Sequence, residues 1–455
     1  MISGKTSSKD FEQALFWLSL AVIVAILSVI YSPALLYAPR GDQVAYLAEV
    51  ANKKTWWDFA IATYDLNRFR FFAPGDENLF RPLLYFILGN ERFFFGYNFF
   101  AWQLCGLAAH IVAVGCLLKL LFLIRPGVWA AALTGFFAIM AINTEMVSWH
   151  HVTTYMIFAA LILTALTHAY RILMQGAASA WRFSLIAGLL CLSCFLYETG
   201  ILFAIAFGIF LWKPAGRTFR PYVCALFALP PVFLGLSALD YILRHVVAIP
   251  LPPGSAEPLF PNILLVPLQV PLWWIYSGLF PTQNQLVFGL DRTMVNLRQP
   301  ALFQPLDLSL WAIRVALAAV LLGAAIFVKG LDRDLLKKRM AFWGLTLSLI
   351  VIYTATIAFG RCLSRGTKAT LSINLYYPYI FWVFGLVLTF SLVNFEKVSV
   401  WVRSKAVKGV LLAVLLALIV HNAVLVHRVT TERARFDQSI VLLLKTLDLL
   451  VKEKG

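Results

Sequence analysis

Asp42 stands where a long apolar run meets its first polar loop, in Arg40-Gly41-Asp42-Gln43. Gly41 permits a tight backbone turn. A carboxylate held just above lipid has its charged form disfavoured, which suits a general base. The same aspartate suits a solvated loop or a helix N-cap ahead of 44–50 equally well. Glu145 lies in Asn143-Thr144-Glu145 and is followed by Trp149-His150-His151. Adjacent histidines on a helix point about 100° apart and chelate poorly. His150 therefore reads as a hydrogen-bonding group for a sugar, a phosphate or backbone, and no metal site is expected. Glu198 sits in Tyr197-Glu198-Thr199 between two apolar segments. A carboxylate is costly there unless it faces a cavity or pairs with a base, or serves as a link tying the outer ends of two helices. Arg361, Arg365 and Lys368 share one short loop without an acid. The planar guanidinium fork matches phosphate oxygens, though anchoring to lipid headgroups is its other use. Tyr376, Tyr377 and Tyr379 follow, as an aromatic belt or a ring-stacking surface.

The elements that must carry these residues are membrane spans. The chain of 455 residues is 61% hydrophobic and 13% charged, with a mean hydropathy of +0.81. Soluble domains sit near 45–50% apolar and about 25% charged, so lipid must solvate much of this surface. Apolar runs predict spans at 11–33, 94–123, 128–142, 153–174, 183–196, 199–212, 221–244, 309–328, 341–359, 373–393 and 409–426. The expectation is an all-α polytopic membrane protein of about 11 transmembrane helices, one domain over 1–455, without repeats or linkers. The first run is expected to remain as a span, not a cleaved leader.

Short-loop cations orient the chain. Lys5, Lys9, Arg125, Arg171, Arg182, Lys213, Arg217, Arg220, the 329–339 cluster and the 397–408 cluster fall on one side only if 263–280 does not cross. That segment holds Pro267, Pro271, Trp273, Trp274 and Tyr276, which suits an interfacial or re-entrant piece. The N-terminus is then inside and the C-terminus outside. Three long pieces face out: a first loop over 34–93 with short interfacial helices, a second segment over 245–308, and an amphipathic tail over 427–455. The first loop mixes acids with Arg40, Lys53, Lys54, Arg68, Arg70, Arg81 and Arg92. Such a surface beside a membrane suits a polar or phosphorylated group.

The net charge of +16 does not indicate nucleic acid, because the cations are scattered between apolar spans and form no aromatic-interleaved groove. Anionic lipid or a phosphate-bearing lipid substrate is the expected counterpart. Cys191 and Cys194 form a C-x-x-C inside an apolar run and read as packing.

The order of these features resembles the GT-C superfamily of multispanning glycosyltransferases, in the group that includes protein mannosyltransferases and the lipid A aminoarabinose transferase. The shared elements run along about the whole chain, each short. They are Arg40-Gly41-Asp42, Phe80-Arg81-Pro82-Leu83, Gly96-Tyr97-Asn98, His110, Glu145 with Trp149-His150, Glu198, and Gly360-Arg361 leading to Tyr376-Tyr377. The chain departs where many relatives carry a second acid after the first-loop aspartate and this one has Gln43. It has Tyr197 where relatives often have Lys, and Leu375 where they often have Arg. The resemblance implies a polyprenyl-phosphate sugar donor, with Asp42 as base and inversion at the sugar. It places Arg361 and Arg365 on phosphate, and Arg81, Glu145, His150, Glu198 and Tyr376 as substrate contacts. No cofactor is expected, a divalent metal being possible but not favoured. The expected acceptor is a lipid, glycan or protein, at the outer face of a bacterial cytoplasmic membrane. A lipid or lipid-linked sugar flippase is the main alternative, and a polymerase or ligase using a lipid diphosphate donor is another.

Overall fold

The computed structural model describes residues 8–37, 55–57, 81–96, 98–149, 152–245, 271, 274–275, 333–358, 377–393 and 405–454. Among these residues the chain is helical throughout, without a strand. Helix α1 (Ser8–Tyr31) runs into a 3-10 turn (Ser32–Leu36), where Pro33 disfavours continued α-helix in the residue before it. Then come α2 (Pro82–Phe95), α3 (Phe99–Ile124), α4 (Val128–Ala138), a 3-10 turn (Ala141–Asn143) and α5 (Thr144–Ser148). Next are α6 (Thr153–Gln175), α7 (Ala180–Leu196) and α8 (Thr199–His245), followed by α9 (Arg333–Ile357), α10 (Pro378–Val393) and α11 (Lys405–Lys454).

Six of these helices are long and apolar enough to cross a membrane, or seven if the bent pair α4–α5 is one span. The protein is therefore a multi-pass membrane protein. Two shorter apolar helices, Ala180–Leu196 and Pro378–Leu392, pack with them. α6 lies at the centre, against α3, α7, α8 and α9.

The span expected over 94–123 is α3, which starts at Phe99 because Gly96 takes a left-handed φ of 57° and Asn98 caps the helix through Ala101 N–H at 3.3 Å. Two elements differ from the sequence expectation, each for a local reason. The span expected over 128–142 bends by 51° after Ala138. A bend in lipid frees backbone groups that must find partners. Here Ala138 O meets His110 Nε2 at 2.9 Å, Phe137 O accepts from Asn143 Nδ2, and Ala141 N–H donates to Asn422 Oδ1 at 2.9 Å. Finally, α8 continues through the loop expected at 213–220 but folds back on itself at Gly216, whose φ is 54° and ψ −162°. The rings of Trp212 and Phe227 lie 6.0 Å apart. A straight helix would separate those residues by about 22 Å. The two arms of α8 therefore run antiparallel, with Lys213, Arg217 and Arg220 at the turn. The span expected at 309–328 lies outside the described residues, as does most of 34–93 and 245–308. Trp274 is described and fully buried, its carbonyl accepting from Trp382 Nε1 at 2.9 Å and its ring 6.0 Å from Tyr353.

The turn from α7 to α8, which holds Glu198, is tight. Gly200 N–H bonds to Tyr197 O at 2.9 Å and Ile201 N–H to Glu198 O at 3.0 Å. A Cβ on Gly200 would fall 2.7 Å from Cys194 N and from Ser193 C, both backbone atoms that cannot step aside. Gly200→Ala is expected to destabilise the protein by about 1–3 kcal/mol through overpacking. Thermal unfolding in detergent checks this; an unchanged midpoint would show that the turn relaxes freely.

Candidate functional site

Arg81 and Glu198 are separated by a long stretch of chain and meet at one end of the bundle. Pro82 begins α2, where its missing N–H costs nothing, and this places Arg81 just ahead of the helix. Arg81 Nε donates to Glu198 Oε1 at 2.9 Å and to Oε2 at 3.1 Å, and Nη2 donates to Oε2 at 2.8 Å. This two-pronged geometry is the strong form of the ion pair. The guanidinium lies 5.0 Å over the Tyr197 ring. Tyr197 stacks on Tyr155 with centroids 4.0 Å apart, and its hydroxyl bonds to Thr154. Tyr155 in turn meets Tyr377 edge-on at 5.7 Å. Burial works against the charged guanidinium, but the Glu198 carboxylate outweighs it, so the Arg81 pKa is raised and the cation is permanent. Burial pushes the Tyr197 phenol up as well, keeping it a neutral hydrogen-bonding group.

Glu145 belongs to a second ion pair at the same end. Its Oε1 accepts from Arg433 Nη1 at 3.1 Å, and Arg433 lies 5.2 Å over the Tyr37 ring. Tyr37 OH donates to Thr430 O at 3.2 Å. These contacts tie α5, α11 and the segment after α1 together. Around them sit the buried polar residues Gln103, Asn143, Thr144, Ser148 and Thr153, with Gln103 Nε2 donating to Ser148 O at 3.3 Å. Gly106 lets α3 approach, since a Cβ there would fall 3.1 Å from Val147 O.

The two pairs differ in access, and that difference separates their uses. Side-chain exposure is 16% for Arg81 and 31% for Glu198, against 12% for Arg433 and 4% for Glu145. The first pair is partly open; the second is enclosed. Sequence reasoning singled out Arg81, Glu145 and Glu198 but missed Arg433, Tyr37 and Tyr155. By sequence Arg433 falls in the outer tail over 427–455, and the local signal against that is its continuity with the apolar part of α11. Asp42, His150, Arg361, Arg365 and Tyr376 lie outside the described residues. Tyr377, next to the last of these, is buried, and its carbonyl accepts from Tyr353 OH at 2.9 Å. Among the described residues no group of three or more His, Cys, Asp or Glu side chains is placed to hold a metal ion.

No family model matches the chain, and no curated protein matches it significantly.

Removing one member of an enclosed ion pair strands the other charge, at about 3–5 kcal/mol. Arg433→Ala is therefore expected to lower thermal stability strongly. Adding Glu145→Gln to that variant should restore most of the loss. No recovery in the double variant would mean that Arg433 acts through packing on Tyr37 instead.

Proposed function

We propose that this protein is a GT-C-type glycosyltransferase that uses a polyprenyl-phosphate sugar at the outer face of a bacterial cytoplasmic membrane. In this reading eleven spans form the domain, including 309–328, and the donor lipid enters sideways between them. The observation that carries the reading is the half-open Arg81–Glu198 pair, set on buried tyrosines where the long first loop returns to the bundle. A reachable charged pair beside a membrane suits a sugar with a phosphate on it, because each charge and hydrogen-bonding group has a counterpart there. His110 does not favour transport: it is fully buried and bonded on both sides, to Tyr379 OH at 3.0 Å and Ala138 O at 2.9 Å, so it serves packing.

The chemistry balances as follows. Asp42 accepts the proton of an acceptor hydroxyl. The hydroxyl oxygen attacks the anomeric carbon from the face opposite the leaving group. The bond from that carbon to the phosphate oxygen breaks, and the sugar inverts. Charge gathers on the departing polyprenyl phosphate, where Arg361 and Arg365 stabilise it. Arg81, Glu198, His150 and Tyr376 orient the sugar, and Glu145 keeps the floor of the site in place through Arg433. No step needs a metal.

A panel of synthetic polyprenyl-phosphate sugars, incubated with the purified protein in nanodiscs, tests this. Transfer is expected from at least one donor and should fall by about 10²–10⁴-fold in Asp42→Asn. Full activity in that variant would remove Asp42 from the mechanism. Lipid movement across the bilayer without donor consumption would favour the flippase instead.

A further inference from the structure

The end of the bundle opposite Arg81 and Glu198 carries its own charged feature. α3 and α6 run in the same direction: a Cβ on Gly106, in the first turns of α3, would fall 3.4 Å from Thr153 Oγ1 at the start of α6, and Cys116 Sγ lies 3.6 Å from Thr164 Oγ1 further along. One turn beyond, Lys119 on α3 and His168 on α6 stand at one level. Arg171 follows on α6, and Arg182 opens α7, held by a hydrogen bond from its Nη1 to Ala177 O. Lys119, Arg171 and Arg182 are all charged neighbours of His168. The His168 Nδ1 is buried without a hydrogen-bond partner among the described residues.

The acids at this end, Asp10 and Glu12, open α1, whose Phe16 lies 5.5 Å from Phe122 and so puts them beyond Lys119, toward the end of α3. Between 99 and 197 the sole acidic residue is Glu145, which sits at the other end and pairs with Arg433. On α9, which packs against α6, Asp334 is exposed and lies 3.5 Å from Lys337 of its own helix. This is not an ordinary loop cluster. Lys119 and His168 lie roughly 8–10 Å inside the ends of their helices and not in a connecting loop. A cation there is costly unless an anion meets it. The surface beside it is apolar and open: Val112 is 57% exposed, Leu192 46%, and Trp181, next to Arg182, 66%. An interfacial tryptophan with apolar flanks matches a headgroup that continues into acyl chains.

We propose that Lys119, His168, Arg171 and Arg182 form a headgroup site for an anionic phospholipid, at the end of the bundle opposite the Arg81–Glu198 pair. The phosphate meets the three cations that surround His168. The chains lie along α3 and α7. This site is independent of the sugar-transfer reading.

Native mass spectrometry of the full-length protein in detergent, titrated with phosphatidylglycerol or phosphatidylcholine, tests it. Phosphatidylglycerol is expected to be retained selectively. Lys119→Ala/Arg171→Ala/Arg182→Ala together should weaken retention about a hundredfold, at about fivefold for each interfacial cation. Arg171→Lys/Arg182→Lys, which keeps the charge, should bind within a few-fold of wild type. If the triple variant does not fold, Lys119→Ala alone, at an exposed position, should still lose about fivefold. Equal retention of the two lipids, or unchanged affinity in the alanine variants, would overturn the proposal. So would inorganic phosphate that binds alone and displaces the lipid at equal concentration, since the site would then take a free anion.

Discussion

The paired hydrogen bonds between Arg81 and Glu198 set how α2 meets the turn between α7 and α8. The first loop leaves after α1 and returns at Arg81; the carboxylate waits on the tight turn between α7 and α8. Once they meet, α2 is laid across the start of α3 and the end of α7. The pair is not buried enough to be closed off, nor exposed enough to be dissolved by water. Tyr197 and Tyr155 beneath it lower the local polarity, which strengthens the charge contact and makes either partner expensive alone. A ligand that reaches this pair therefore meets charges already held in place.

The second constraint is the demand of lipid on backbone. α4 breaks within the apolar layer, and a break there is tolerated only where side chains take up the freed groups. His110, Asn143 and Asn422 do so, from α3, from the bend itself and from α11. α11 is thus a strut: Asn422 supports the bend, Thr430 receives Tyr37, and Arg433 meets Glu145. The polar residues at this end hold one another, while the opposite end carries the cations Lys119, Arg171 and Arg182 around His168.

Much of this was legible from the residues. Apolar runs locate α1, α3, α6, α7, α9 and α10 because a helix in lipid must be apolar along its length. The need of Glu198 for a partner followed from its apolar flanks, and the structure supplies Arg81. Other features were not legible. Hydropathy averages over many residues, so it straightened the bend at Ala138. It marked two arms in α8 but could not show that the backbone stays helical up to a single glycine. Arg433 looked like a tail residue because its partner lies hundreds of residues away, and no local pattern reports such a contact. The placement of Asp42, Arg361 and Arg365 rests on sequence alone.

A double-mutant cycle across Arg81 and Glu198 tests the central claim most directly, using Arg81→Ala, Glu198→Ala and the pair, read by thermal unfolding in nanodiscs. A bidentate, partly buried pair predicts a coupling energy of about 1–3 kcal/mol, with the double variant no worse than the worse single. A coupling near zero would contradict the account, because the loop return and the α7–α8 turn would then be held independently of each other.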